Sequence, residues 1–99
     1  MVRHILLLAP RPETTTAEIA EIRGLIEDLP GQIPGLLDAH WGENFAAPER
    51  REDLTQGFTM DFVDRESLAA YAPHPAHKPV AARVRAAFER IVVLDFDIS

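Results

Sequence analysis

The chain has 99 residues, of which 46% are hydrophobic and 26% are charged, and it contains no cysteine. This length and composition are typical of one globular domain, so we expect a single domain over residues 1–99 and exclude a largely disordered chain. The net charge of −6 argues against nucleic acid and against an anionic membrane surface as partners, because both attract basic surfaces. Without cysteine, a disulfide scaffold, a thiolate metal site and a cysteine nucleophile are excluded.

The first predicted element is a strand over residues 2–9, which form a nearly continuous apolar run that ends at Pro10. This run is too short for a signal peptide or a membrane helix, so we expect a cytoplasmic protein. Alternation along the strand divides its side chains between two faces, with His4, Leu6 and Leu8 on one and Arg3, Ile5 and Leu7 on the other.

A helix is predicted after this strand, because Thr15 and Glu18 have the spacing of a capping box. An apolar stripe at helical spacing follows, and Pro30 with Gly31 ends the helix. The stripe consists of Ile19, Ile22, Leu25, Ile26 and Leu29. Residues 36–41 are typical of a second strand, and the charged residues 43–56 are predicted to be a loop.

The C-terminal half repeats the strand–helix–strand order. Residues 57–63 alternate between apolar and polar side chains, which predicts a strand, and Asp64 can cap a short helix from residue 65 to about residue 72. Pro73 and Pro75 break that helix, and a second one follows with Pro79 in its first turn. Its inward stripe is Val80, Val84, Ala87, Phe88 and Ile91, with Arg83, Arg85, Glu89 and Arg90 on the solvent side. The last strand begins at residue 91 or 92 and continues to residue 98.

This order predicts an α+β fold of the ferredoxin-like β-α-β-β-α-β type, an antiparallel sheet with helices on one face. The other face of the sheet then lacks a covering layer, although it carries Arg3, Ile5, Leu7 and Thr59, a mixture of apolar and polar side chains. A chain this small also buries only part of its surface by itself. We therefore expect a homodimer that forms through the open sheet face.

Four polar residues stand among apolar neighbours and supply the types of group used in general acid–base catalysis. They are His4, Tyr71, His77 and Asp95. An imidazole exchanges protons near neutral pH, a carboxylate can hold its tautomer, and a tyrosine can polarise a carbonyl oxygen. Structural roles are the alternative: His4 as a half-buried histidine with one backbone partner, His74 as a turn residue, and Asp95 facing water or paired with an arginine.

A metal site is a further alternative. His74 and His77 are three residues apart, so a helical turn would place both imidazoles on one side. Two ligands without a third at defined spacing occur often by chance, and we expect neither a metal nor a cofactor. Glycine-rich phosphate loops, the Gly-x-Ser-x-Gly motif and dinucleotide fingerprints are absent from the sequence.

Several motifs occur together in one order along almost the whole chain. They are His4 in the first strand, Trp41-Gly42-Glu43-Asn44, Gly57-Phe58-Thr59, Phe62-x-x-x-Glu66-x-Leu68-x-x-Tyr71 and His74-Pro75-x-His77. With them the chain resembles the stress-responsive dimeric α/β-barrel (Dabb) family. The resemblance implies a ferredoxin-like fold whose two copies pack their sheets together into a dimeric α/β barrel.

The resemblance also implies a chemistry. Many members of the family are stress-induced plant proteins or bacterial proteins of unassigned role, and one plant member is a cyclase that closes a linear tetraketide by an aldol step. Its acid–base histidine falls on His77, its supporting aspartate on Asp95, its substrate-contacting tyrosine on Tyr71 and its first-strand histidine on His4. Met60 stands where the cyclase has a third-strand histidine, the loop over residues 43–56 is longer, and the cyclase's first-helix tyrosine has no counterpart.

Two functions follow from this resemblance. The first is a cofactor-independent enzyme in which His77 is the general base, Asp95 holds its tautomer, and Tyr71 and His4 bind a carbonyl oxygen of an apolar ligand. Its substrate pocket is expected between sheet and helices, lined by Leu6, Leu8, Met60, Val80, Val84 and Phe88. The second is a non-catalytic stress-responsive dimer or small-ligand-binding protein, for which a closed or very small cavity is expected.

Overall fold

The computed structural model describes residues Met1–Ile98, and Ser99 lies outside the described residues. The elements follow one another as β1 (Val2–Pro10), α1 (Thr16–Glu27), β2 (Leu36–Glu43), α2 (Pro48–Arg51), β3 (Gln56–Phe62), α3 (Arg65–Tyr71), α4 (Lys78–Ala87) and β4 (Phe88–Asp97). The four strands form one antiparallel sheet in the order β2-β3-β1-β4. With the helices on one face, this topology confirms the predicted ferredoxin-like α+β fold.

The register of the sheet decides which side chains share a face. His4 on the central strand β1 lies opposite Met60 of β3 and Asp95 of β4, so these three side chains face the helices. The next residue, Ile5, lies opposite Thr59 and Leu94, which therefore belong to the open face. The pairing of β1 with both neighbours thus brings residues that are distant in sequence to one end of the helix-covered face.

One hydrophobic core fills the space between the sheet and the helices. Phe62 and Met60 of β3 are fully buried there, as are Ile22 and Ile26 of α1. Helix α1 begins with the predicted capping box, in which the Thr15 hydroxyl oxygen accepts a hydrogen bond from the Glu18 N–H at 3.1 Å. No helix within residues 1–98 combines the length and the apolar character that a membrane crossing requires.

Three predicted boundaries are corrected by the structure. The stretch over residues 43–56, predicted as a loop, contains the one-turn helix α2, which has Pro48 at its start. Strand β2 continues past residue 41 to Glu43 because its pairing with β3 extends to Gln56. Strand β4 begins at Phe88, earlier than predicted, since Phe88 leaves the helical conformation and pairs with Pro10 of β1.

The open face of the sheet exposes a row of apolar side chains. Leu94 and Phe96 of β4 are 57% and 44% exposed, and Val92 lies beside them on the same face. Charged and polar pairs lie on the same face towards β3 and β2: Arg3 binds Asp61, with Nε to Oδ1 at 2.8 Å and Nη2 to Oδ2 at 3.1 Å, and His40 Nε2 lies 3.6 Å from Asp38 Oδ1. This face is therefore apolar at the β4 edge and polar towards β3 and β2.

Candidate functional site

A cavity of about 380 Å³ lies between the sheet and helices α1, α3 and α4. Its volume falls within the range of small-molecule sites. Most of its lining is apolar and comes from three strands and three helices. The polar or charged side chains that line it are His4, Tyr71, His77, Arg85 and Asp95. The four residues that the sequence analysis singled out for acid–base chemistry therefore line one cavity.

His4 and Asp95 form a hydrogen-bonded pair across β1 and β4. Their positions face each other in the antiparallel register, and Nδ1 of His4 contacts Oδ1 of Asp95. A carboxylate only accepts hydrogen bonds, so Nδ1 carries the proton and Nε2 is the ring nitrogen left for a ligand. The His4 side chain is mostly buried, whereas the Asp95 side chain is 44% exposed at the edge of the sheet.

Tyr71 and His77 meet at the turn that joins α3 to α4. Tyr71 is the last residue of α3, and the turn returns the chain so that the two rings lie 3.9 Å apart between centroids. Tyr71 also packs against His4 at 6.0 Å and against Phe62 at 5.3 Å. The proline-stiffened turn thus brings a tyrosine and two histidines into one aromatic cluster.

His77 is oriented by the backbone of the same turn. Its Nδ1–H donates to the Ala72 carbonyl oxygen at 3.0 Å, which leaves Nε2 unprotonated in the neutral ring. Burial lowers the pKa of His77 below its ordinary value, and electrostatic interactions with His4, Arg85 and His74 lower it further. The hydrogen bond to Ala72 acts in the opposite direction. His77 is therefore held in its neutral, proton-accepting form near pH 7.

The expected pairing of Asp95 with His77 is not what the structure shows. Asp95 contacts His4, and the backbone carbonyl of Ala72 takes the place that the sequence analysis gave to the carboxylate. The reason is the register: β4 runs beside β1, so the side chain opposite Asp95 is that of His4. The alternative of a water-facing carboxylate at the strand edge holds in part, since the Asp95 side chain is 44% exposed, and its partner is a histidine and not an arginine.

Tyr71 is a buried phenol at the wall of the cavity. The whole residue is only 5% exposed. Burial raises the pKa of its hydroxyl well above the ordinary value, because the charged phenolate is poorly solvated there. Tyr71 therefore keeps its proton at neutral pH and can donate a hydrogen bond to a ligand oxygen.

The predicted apolar pocket lining is reproduced only in part. Leu6 and Val84 line the cavity. The other four predicted residues, Leu8, Met60, Val80 and Phe88, are buried in the core and do not line it. All four belong to the hydrophobic core between the sheet and the helices.

Several lining residues were missed by the sequence analysis. Ile26 and Phe58 were interpreted as part of a helix stripe and of an alternating strand. Arg85 is exposed, as its predicted place on the solvent side requires, but it also lines the cavity. The sequence does contain a pattern that predicts this position of Arg85. Ala81, Val84 and Arg85 have the three- and four-residue spacings of one helix face, so Arg85 lies beside the inward-facing Val84.

His74 does not take part in the cavity. Its Nδ1 accepts a hydrogen bond from the Ala76 N–H at 3.0 Å, which is a role within the turn. His77 uses its own Nδ1 on the Ala72 carbonyl. Across residues 1–98, no group of three or more histidine, cysteine, aspartate or glutamate side chains is arranged to hold a metal ion.

Comparison with known proteins agrees with this fold. The model of the stress responsive A/B barrel domain, Dabb, matches residues 2–98. A stress-response A/B barrel domain-containing protein from Arabidopsis thaliana is 30% identical over 98 residues, which are 98% of this chain and 86% of that protein. Olivetolic acid cyclase from Cannabis sativa is 26% identical over 95 residues, which are 96% of this chain and 94% of the cyclase.

A solved structure supports the same assignment. A dimeric ferredoxin-like protein of unknown function from a Jannaschia species has a TM-score of 0.86 and 28% identity, with 98% of each chain covered. The family match covers nearly the whole chain, and the strand order and the helix-covered sheet agree with it. The chain therefore belongs to the stress-responsive A/B barrel domain (Dabb) family.

Proposed function

We propose that this protein is a cofactor-independent enzyme that acts on an apolar carbonyl compound by acid–base chemistry of the polyketide-cyclase, aldol type. The observation that carries the proposal is the convergence of His4, Tyr71 and His77 in one largely apolar cavity of about 380 Å³. An apolar cavity with a few convergent polar groups is typical of small-molecule sites. The similarity to olivetolic acid cyclase over 94% of that enzyme's length adds support.

His77 is the proposed general base. Its Nδ1–H is engaged by the Ala72 carbonyl, so Nε2 carries the free lone pair. Its lowered pKa keeps the ring neutral and able to accept a proton at physiological pH. The base is thus positioned by a backbone carbonyl, which orients the ring without adding a negative charge next to the substrate.

Tyr71 and His4 are the proposed groups that stabilise the developing oxyanion. Tyr71 remains protonated and donates through its hydroxyl. When His4 is protonated on both nitrogens, Asp95 balances its charge and Nε2–H donates to the same oxygen. In this scheme Asp95 is a positioning residue that acts through His4.

The proposed step conserves atoms and charge. His77 removes a proton from the carbon next to one carbonyl group, and the C–H electron pair becomes an enolate whose oxygen is held by Tyr71 and His4. The enolate carbon then forms a C–C bond with a second carbonyl carbon of the same substrate. The alkoxide that results takes back the proton from His77, so the ring returns to its neutral form.

The test uses 2-octanone as a probe, because its α-protons exchange slowly with solvent and report a general base directly. In deuterated buffer, we expect the wild-type protein to accelerate α-exchange, as followed by proton NMR, and His77→Gln to abolish the acceleration while 2-octanone still binds. Lys78→Gln, an exposed neighbour in the same turn, is the matched control. Wild-type exchange no faster than in buffer, or unchanged exchange in His77→Gln, would refute the proposal.

A non-catalytic stress-responsive, ligand-binding dimer is the second candidate function. The observation that favours it is the 30% identity to an Arabidopsis protein named only for its stress-response domain. The closed or very small cavity expected for it is not found, since the cavity measures about 380 Å³. As a ligand-binding protein, this candidate predicts that 2-octanone binds in the cavity without any acceleration of α-exchange. The first candidate predicts binding together with acceleration, so the same experiment separates the two.

We also propose that the protein acts as a homodimer that forms through the open sheet face. Leu94 and Phe96 expose apolar surface there, and burying it against a second copy is favourable. The Jannaschia neighbour, whose sheet superposes on this one, is a dimeric protein. Two open faces packed together would produce the dimeric α/β barrel.

A further inference from the structure

We propose that Arg85 makes the cavity a site for ligands that carry a carboxylate at one end of an apolar body. This inference rests on the proposed function of the same cavity and adds the chemical class of its ligand. Arg85 lies in the last turn of α4 and lines the cavity together with Ala81 and Val84 of the same helix. A guanidinium binds a carboxylate through two parallel N–H donors, so it is suited to such a ligand group.

The ion pairs of the molecule distinguish Arg85 from its neighbours. Arg83, two residues earlier on α4, donates to Glu21 of α1 at 2.9 Å, and Arg90 donates to Glu52 and Asp53. Among the described residues, no carboxylate forms an ion pair with the Arg85 guanidinium. In a chain with a net charge of −6, a cation next to an apolar cavity and without a carboxylate partner is an available anion site.

The other charges of the cavity do not compete for the same position. Asp95, the one carboxylate in the lining, is hydrogen-bonded to His4 on the sheet side. Arg85 comes from the helix layer, and its charge is felt by His77 beside it. A ligand carboxylate at Arg85 is therefore attracted by the guanidinium, while its apolar chain lies along Leu6, Phe58 and Val84.

This arrangement also orients the ligand for the proposed reaction. With the carboxylate held at the helix side, the chain extends toward the sheet, where His4 and Tyr71 can receive a carbonyl oxygen. His77, which lies within the electrostatic reach of Arg85, then faces the carbons between the two polar groups. The inferred substrate class is an acid or acyl compound that has a terminal anionic group and a carbonyl farther along an apolar chain.

The test compares octanoate with octanamide, which has the same chain and a neutral head group. By calorimetric or NMR titration, we expect the wild-type protein to bind octanoate about tenfold more tightly than octanamide. Arg85→Gln should remove this preference and leave the affinity for octanamide unchanged, and Arg85→Lys should retain part of it. Arg83→Gln, on the same helix but paired with Glu21, is the matched control and should keep the full preference.

Two results would overturn the inference. One is equal affinity of the wild-type protein for octanoate and octanamide, and the other is an unchanged preference in Arg85→Gln. Both results are measured by binding alone and do not depend on catalysis. The proposed function is tested separately, by α-exchange of 2-octanone, a neutral probe that has no carboxylate. If exchange is accelerated but octanoate is not preferred, the assignment of Arg85 is wrong and the enzyme proposal stands.

Discussion

The imidazole of His4 is hydrogen-bonded to the carboxylate of Asp95 on the adjacent strand. This pair divides the polar groups of the cavity into two units, one on the sheet and one on the α3–α4 turn, where His77 is held by the Ala72 carbonyl. The two histidines consequently differ in charge environment: His4 has an anionic partner, and His77 has a neutral one. This difference underlies the separate roles that we propose for them.

The first prediction concerns Asp95. Asp95→Asn keeps the shape of the side chain but removes the charge that balances protonated His4. We expect α-exchange of 2-octanone to fall by about tenfold or more, since an oxyanion-stabilising donor is weakened. Long-range nitrogen–proton NMR spectra should show altered ring signals for His4 and unaltered ones for His77.

Asp97→Asn is the control for this prediction, because Asp97 pairs with Arg65 and does not line the cavity. It should leave both exchange and the histidine signals unchanged. If Asp95→Asn changed the ring signals of His77 and not those of His4, the pairing of Asp95 with His4 would be wrong.

The second prediction concerns pH and His77. Burial lowers its pKa in the folded state, so near and below pH 6.5 the unfolded chain binds more protons at this site than the folded chain does. The stability that His77 contributes is therefore complete above about pH 6.5 and is lost as the pH falls through the folded value. The free energy of unfolding of wild type minus that of His77→Gln should therefore decrease as the pH falls below about 6.5.

Urea unfolding at a series of pH values provides the measurement. Lys78→Gln serves as the control for substitution in the same turn, and its difference curve should lack this decrease. A wild-type-minus-His77→Gln difference that grows on acidification would show that the folded pKa is raised, contrary to the geometry.

The third prediction concerns the dimer. Leu94→Glu places a charge in the apolar part of the open sheet face, on the edge strand β4, where Leu94 is 57% exposed beside Ile5. Burial of an unpaired carboxylate is costly, so we expect this variant to be monomeric. Light scattering should give twice the chain mass of 11.0 kDa for the wild type and a single chain mass for Leu94→Glu.

Leu25→Glu is the matched control, because Leu25 is 37% exposed on α1, on the helix side of the sheet. It should remain dimeric. A dimeric Leu94→Glu variant together with a monomeric Leu25→Glu variant would place the interface on the helices.

The fourth prediction concerns the start of α1. Thr15→Ala removes the hydroxyl that accepts from the Glu18 N–H, and we expect a loss of about 1 kcal/mol in the free energy of unfolding. Thr16→Ala, at the first helical position, removes no cap and should change stability by less than about 0.5 kcal/mol. Urea unfolding monitored by circular dichroism distinguishes the two, and equal losses would argue against the capping box.

The fifth prediction concerns Phe62, which supports the aromatic cluster of the cavity. It is fully buried and packs against Tyr71 with ring centroids 5.3 Å apart. Phe62→Ala should cost about 3–5 kcal/mol in unfolding free energy because it leaves a cavity. Val63→Ala, at an exposed neighbour, should cost less than about 0.5 kcal/mol in the same urea experiment. A small loss for Phe62→Ala would mean that this part of the core is loosely packed.

Local signals predicted most of the elements because those signals act over a few residues. The capping box at Thr15 and the alternation around Met60 are set by hydrogen bonds and side-chain directions within single elements. The boundary at Phe88 was predicted wrongly for the opposite reason. Phe88 fits the apolar stripe of α4, but pairing with Pro10, 78 positions earlier in the numbering, draws it into β4.

The candidate site likewise combines features that local sequence signals predict with features that depend on long-range pairing. The residue types and their neighbours were enough to identify the available groups, namely His4, Tyr71, His77 and Asp95, and to place them among apolar positions. Their pairing depends on the fold, because the β1–β4 register sets Asp95 opposite His4, and the turn after α3 sets Ala72 against His77. Arg85 was a solvent-facing residue in the sequence pattern, and only the packing of α4 over the sheet made it part of the cavity.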